Sequence, residues 1–153
     1  MNFYPFFVHL DFAGFQDEAT PFTPVDRIDL GYLGSLGIEP TSFEDWHQVG
    51  EWIRQFQKIG KIVPVGYNLR NLVWPALTMN LARAGESLPG LFMPMERKWN
   101  DLWMIDLQPL LVQGGYSDWK PSLAEACRFF GIDEKKPALD RIHDLYRIIQ
   151  RAS

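Results

Sequence analysis

IVPVGYNLRNL, residues 62–72, decides how the rest of this chain is read. Ile62 to Val65 is a short apolar run rich in β-branched residues, and Gly66-Tyr67-Asn68 after it is turn chemistry. Together they read as a buried strand leaving a sheet. Pro64 has no N–H to give a neighbouring strand, which places it at a sheet edge or a strand end. Pro75 then opens a helix, because proline is tolerated in a first helical turn. That helix turns Leu77 and Leu81 inward and stops near Gly85. A buried strand passing through a turn into a helix is one unit of an α/β layer fold.

Upstream, Phe6 to Leu10 is a second apolar run, bounded by Pro5 and Gly14 and ending in Asp11. It reads as a buried first strand with an acid at its carboxyl end. Residues 13–41 are dense in glycine and proline and read as turns and loops, although Arg27 to Leu33 alternates enough to be one arm of a hairpin. Thr41 or Ser42 is placed to cap a helix, with Glu44 and Asp45 near its positive end. Trp46, Val49, Ile53 and Phe56 form the apolar stripe of that helix, and Gly60 ends it. Downstream, residues 86–100 read as a loop and Leu102 to Leu107 as a third strand. Ser122 caps a helix carrying Leu123, Ala126, Cys127 and Phe130, stopped by Gly131. The last helix runs from about Pro137 to Gln150, with Leu139, Ile142, Leu145 and Ile149 inward.

Composition sets the outer bounds. A chain of 153 residues is long enough for one full core, so residues 1–153 are expected to form a single domain. With 46% hydrophobic and 22% charged residues it has the balance of a globular protein, and the net charge of −4 excludes a global basic field. Any polyanion would have to be bound by local charge. Cys127 is the only cysteine, which excludes an internal disulfide and a cysteine-rich zinc site. It reads as a small buried hydrophobe. The apolar stretch Phe3 to Phe7 is broken by Pro5 and lacks a basic leader, so no signal peptide is expected. No apolar run approaches the ~20 residues that span a bilayer. The expectation is a cytoplasmic protein with no membrane partner.

Five anchors then recur in a fixed order. They are the strand ending in Asp11, Val65-Gly-Tyr-Asn68, Ile105-Asp-Leu107, the Ser122-Leu123…Cys127…Gly131-Ile132 helix, and Ala138-Leu-Asp140. This order resembles the DnaQ-like 3′–5′ exonucleases of the DEDD superfamily, over roughly residues 6 to 150. The resemblance implies an α/β fold with a ribonuclease H-like mixed sheet flanked by helices. In such a sheet an antiparallel hairpin lies beside parallel strands and the first strand is central. It also implies metal-assisted hydrolysis of a terminal phosphodiester. Two cations, Mg or Mn, are held by four acids and clamp the attacking and leaving oxygens, while a His or Tyr activates water.

The acids are where this sequence departs from that pattern. The family's first motif is Asp-x-Glu. Asp11 keeps the Asp, but Ala13 stands in place of the Glu. The second is an Asn followed four or five residues later by Asp; Asn68 is present, yet Leu72 and Val73 fill both Asp positions. The third is His-x-Ala-Leu-x-Asp-Ala, against Lys136-Pro-Ala-Leu-Asp-Arg-Ile142 here. Lys136 replaces the base and Arg141 the Asp, with Asp140 one position away. Asp106 matches an Asp common in the family's I-D-L segment and reads as a structural acceptor for the loop near Ser122. One assured acid cannot neutralise two divalent cations, and an arginine among them repels metal.

The leading expectation is therefore an exonuclease-like domain with a degenerate metal site. It would act as a binding module for single-stranded nucleic-acid ends or for a protein partner. An alternative is an active 3′–5′ exonuclease in which Asp11 ligates Mg or Mn and Asp140 and Asp144 supply a rearranged acid set. That requires the three carboxylates to converge at one strand end. A third reading is an unrelated α/β protein-interaction domain, which strand order would distinguish. Tyr67, Asn68 and Arg70 are the candidate nucleic-acid contacts, flanked by Arg54, Lys58, Lys61 and Arg83. Trp99, Trp103, Tyr116 and Trp119 are placed to stack bases or line a protein interface. His9 reads as an interior residue. His143 and Asp144 read as exposed, and Glu44, His47 and Glu51 as one solvated helix face.

Overall fold

The computed structural model describes residues 3–34, 37–86, 104–111 and 121–152. Strand β1 (Phe3–Phe12) pairs antiparallel with β2 (Val25–Gly34) and parallel with β4 (Lys61–Gly66). On one side β2 continues antiparallel to β3 (Gly37–Phe43), and on the other β4 continues parallel to β5 (Ile105–Asp106). The order β3-β2-β1-β4-β5 puts the first strand at the centre, with a hairpin on one flank and parallel strands on the other. That is the expected mixed sheet.

Because successive side chains of a strand point to opposite faces, β1 serves two cores. Phe6, Val8, Leu10 and Phe12 enter one, where α1 (Trp46–Gln57) and α2 (Trp74–Arg83) add Val49, Ile53, Leu77 and Leu81. Phe6 is fully buried, with the rings of Trp52, Phe56 and Trp74 at 6.0, 6.4 and 6.4 Å. Phe7 enters the other core, which α4 (Leu123–Phe130) and α5 (Ala138–Ala152) complete with Ala126, Cys127, Leu139, Ile142 and Leu145. Cys127 is buried, as its place in the apolar pattern implied.

Several expectations change at this level. The glycine- and proline-rich stretch holds a long hairpin, and Thr41 and Ser42 lie inside β3, paired with Leu30 and Asp29. Held extended by that pairing, neither can cap α1. Asp45 does so instead, its carboxylate accepting the Gln48 N–H at 2.8 Å. Pro64 sits in a strand flanked on both sides. Among the described residues β5 pairs only with Val65 and Gly66, so Pro64 falls where β1 is its sole neighbour. Asn68 turns the chain with φ of 53°, a left-handed conformation that asparagine tolerates. A π-helical turn, Leu69–Val73, then leads into α2, with the Leu72 and Val73 N–H groups both donating to the Asn68 carbonyl.

The short α3 (Leu107–Leu110) follows β5 directly, so the third strand is brief among the described residues. Ser122 caps α4 in a two-way box: it accepts the Glu125 N–H at 3.1 Å while Glu125 accepts the Ser122 N–H at 3.3 Å, a device worth ~1 kcal/mol. Gly131, with φ of 70°, ends the helix. Among the described residues no helix is long and apolar enough to cross a membrane. Most of the 86–100 loop, and Trp99, Trp103, Tyr116 and Trp119, lie outside the described residues.

Candidate functional site

The pleat that sends Phe7 into the second core also sends His9 and Asp11 to the same face. There the apolar filling gives way to a polar row across three strands. His9 stands opposite Asp29 in register, Asp11 opposite Arg27, and Asp29 opposite Ser42. Asp29 is buried and receives two hydrogen bonds on one oxygen: Arg27 Nε donates at 2.9 Å and the Ser42 hydroxyl at 2.5 Å. Arg27 Nη2 also donates to Ser42 Oγ at 3.2 Å. A buried carboxylate is tolerated because donors surround it.

Asp11 is more open to solvent than its neighbour on the strand, its side chain 49% exposed against 13% for His9. His9 Nε2 donates to Asp11 Oδ1 at 2.8 Å. That hydrogen bond holds the Asp11 carboxyl below its usual value, against the opposing pull of burial. The charges of His9, Arg27 and Arg141 act in the same direction as the hydrogen bond. Arg141 approaches from α5, which packs over β1, β2 and β3. Among the described residues its buried Nε has no hydrogen-bond partner.

The remaining acid positions are settled by packing. Leu72 and Val73 are 8% and 3% exposed and belong to the core on the opposite face. Ala13 is half-buried and its N–H donates to the Pro24 carbonyl at 2.9 Å. Asp144 accepts a hydrogen bond from Lys136 Nζ at 2.9 Å, and Asp140 adds its charge to Lys136 and to His143. Among the described residues no three His, Cys, Asp or Glu side chains are grouped to hold a metal ion. Asp11, Asp140 and Asp144 are thus not gathered into the cluster that a rearranged acid set requires. A pair of Mg or Mn cations does not fit a corner where Asp11 is already countered by a hydrogen-bonded histidine and two guanidiniums.

Tyr67, expected as a nucleic-acid contact, is turned inward instead. It is buried, and its hydroxyl donates to the Pro121 carbonyl, tying β4 to the start of α4. Burial pushes its hydroxyl pKa up, above the usual tyrosine value. Asn68 is half-buried at the turn and Arg70 is exposed, its backbone N–H donating to Asp106 at 2.9 Å. Asp106 also accepts the Gln108 N–H at 3.2 Å, so it organises its own turn and the π turn; among the described residues it takes no bond from the loop near Ser122. Gln108 Nε2 makes the bond to that loop, donating to Pro121 O at 3.1 Å.

One histidine departs from expectation and another keeps to it. His143 is 6% exposed, with its ring edge-on to Phe7 at 5.4 Å, because it shares the inward face of α5 with Ile142 and Tyr146. Burial lowers its pKa below the usual histidine value. His47 stays on the solvated face expected of it, 72% exposed, with its Nδ1 donating to Glu86 at 2.6 Å, and Arg54 pairs with the same carboxylate. Arg54 is therefore a clamp between α1 and the end of α2, while Arg83 donates to Asn80 at 2.7 Å. The Arg27–Asp29–Ser42 group was not singled out in the sequence. Its only signal was Arg27-x-Asp29, two charges spaced to share one strand face.

No family model matches this chain, and no curated protein matches it. Solved structures of exonuclease I do. The product-bound form aligns with a TM-score of 0.69 at 11% identity, covering 99% of this chain and 44% of that one. The exonuclease I/SSB-Ct complex gives 0.68 at 11% identity, over 99% of this chain and 42% of its own. E. coli exonuclease I with a 5cy-dA13 oligonucleotide gives 0.60 at 15% identity, over 99% and 40%. This chain spans less than half the length of these structures. At such identity the likeness establishes the fold, a ribonuclease H-like mixed sheet flanked by helices.

Proposed function

We propose that this chain binds the ends of single-stranded nucleic acid without cleaving them, at the corner of the sheet around Asp11. The reading treats residues 1–153 as one exonuclease-like domain whose metal site has degenerated. It rests on the charge around Asp11: His9, Arg27 and Arg141 all act on it, and the other acid of the row, Asp29, is buried and bonded to Arg27 and Ser42. Phosphodiester hydrolysis by paired cations needs carboxylates to hold them, whereas guanidiniums attract a phosphate backbone directly. The geometry offers a path for a strand, because β1 and β4 run parallel. The turn carrying Asn68 and Arg70 therefore leaves the same end of the sheet as Asp11, and both residues are assigned as secondary contacts. The oligonucleotide and product complexes of the exonuclease I structures lend support by analogy of fold.

The test is to incubate labelled single-stranded DNA and RNA with the protein in Mg or Mn, and to measure binding separately in a chelator. Binding that depends on a free end, with no shortening of the strand, is the expected result. Degradation that Asp11→Ala abolishes would reinstate the active enzyme with Asp11, Asp140 and Asp144 as its acids. Absence of any strand binding would leave a protein-binding module.

A further inference from the structure

We infer that Arg141 makes this corner a metal-independent receptor for a terminal phosphate monoester, with Arg27 as the flanking cation. The inference rests on the strand-end reading above and names the chemical group that reading would recognise. Arg141 stands at the position where the resembled pattern has a metal-binding Asp. It lies on α5, which packs across β1, β2 and β3, close enough to Asp11 for the two charges to interact. A guanidinium stays charged at any pH a protein survives, and its planar fork matches the oxygens of a phosphate.

The unsatisfied Nε of Arg141 is the further observation. Its Nε–H is buried and bonds to nothing among the described residues, although buried donors are nearly always satisfied. Asp11 does not satisfy it: one oxygen of that carboxylate accepts the His9 hydrogen bond, and Arg27 lies directly opposite across the strand pair. Asp29 likewise is committed to Arg27 and Ser42. An anion seated on the guanidinium, with a small shift of the side chain that uncovers Nε, supplies the missing acceptor. A monoester, with about two negative charges near neutral pH, gains more from two guanidiniums than a singly charged diester does.

This arrangement predicts an effect opposite in sign to that of a metal site. Where cations hold the phosphate, removing the Asp11 charge weakens binding. Where arginine holds it, Asp11 is a competing anion, and Asp11→Asn tightens binding.

The experiment measures affinity by anisotropy, in EDTA, for a short single strand carrying a 3′-phosphate, a 5′-phosphate or neither. The proteins compared are the natural one, Arg141→Gln, Arg141→Lys and Asp11→Asn. The expected preference for one phosphorylated end is about tenfold, the scale of a charge-assisted bidentate contact. Arg141→Gln should erase it, Arg141→Lys should keep part of it, and Asp11→Asn should increase it. The Arg141 Nε–H resonance should also shift on titration with inorganic phosphate, a readout that needs no strand.

A preference that survives in Arg141→Gln, or a natural protein that binds all three ends alike, overturns the assignment while leaving strand binding intact. Loss of affinity in Asp11→Asn overturns it as well. A phosphate-induced shift without strand binding keeps the phosphate receptor and sinks the strand-end reading instead. Unfolding midpoints of the variants confirm that each is folded when it is scored.

Discussion

The two faces of the central sheet are filled from the same strand by different chemistry. On the α1–α2 face, Phe6, Val8, Leu10 and Phe12 are all buried hydrophobics packed on further hydrophobics. On the α4–α5 face, Phe7 begins a similar core, but His9 and Asp11 follow it, and Asp29 and His143 are buried beside apolar residues. Among the described residues the first face buries no charged side chain, and it holds the fold together. The second sacrifices packing for a row of charges that, in stability terms alone, gains little: replacing buried ion pairs with apolar groups is often neutral or stabilising. On this face each polar group has to be satisfied individually, by Arg27, Ser42 and His9.

The largest expected effect lies on the apolar face. Phe6→Ala should cost about 3–5 kcal/mol in chemical unfolding, since it empties a site enclosed by Trp52, Phe56 and Trp74. A loss below ~1 kcal/mol would contradict the division of labour between the faces. Asp29→Ala comes next, at about 2 kcal/mol, because Ser42 loses its acceptor in a part-buried position. If instead the variant is as stable as the natural protein, the row is not held by Asp29.

His143 supplies a pH test. Its pKa is lowered in the fold by burial, so the unfolded chain binds a proton more readily than the folded one. The stability it contributes is complete above the unfolded value near 6.5 and is lost as pH falls below it. Thermal midpoints at pH 7.5 and 5.5 should differ more for the natural protein than for His143→Phe. Equal differences would place the acid sensitivity elsewhere. Asp11→Asn should be the mildest change, within about 0.5 kcal/mol at neutral pH, because the carboxylate is half in water. Its stabilising bond to His9 matters above the usual carboxylate range and fades as pH drops through the lowered value. A small stability effect with a large binding effect is the mark of a residue kept for its ligand.

How much of this was legible beforehand follows from the range of each interaction. Helix caps at Ser122 and Gly131, and the inward stripes of α4 and α5, are local and were read directly. The central place of the first strand followed from the order of the anchors, and the structure places β1 there. The hairpin was half seen, because its turns were visible while its pairing partner is set by register, a long-range property. The corner around Asp11 was legible in its losses, since Ala13 and Arg141 stand in plain sequence. Its gains were hidden, because the alignment of Arg27, Asp29 and Ser42 exists only across paired strands. Tyr67 and His143 were misplaced for the same reason: whether a polar tip finds a carbonyl or a ring depends on what packs above it.

The π turn after Asn68 also decides what this chain tolerates in place of Leu72 and Val73. It leaves both side chains inside the apolar core. A glutamate at Ala13 or an aspartate at Arg141 alters a partly exposed position. An aspartate at residue 72 or 73 would put a bare charge among Leu69, Trp74 and Leu77. An acid at that point of the chain is therefore barred by the hydrophobic core, and not by the corner around Asp11.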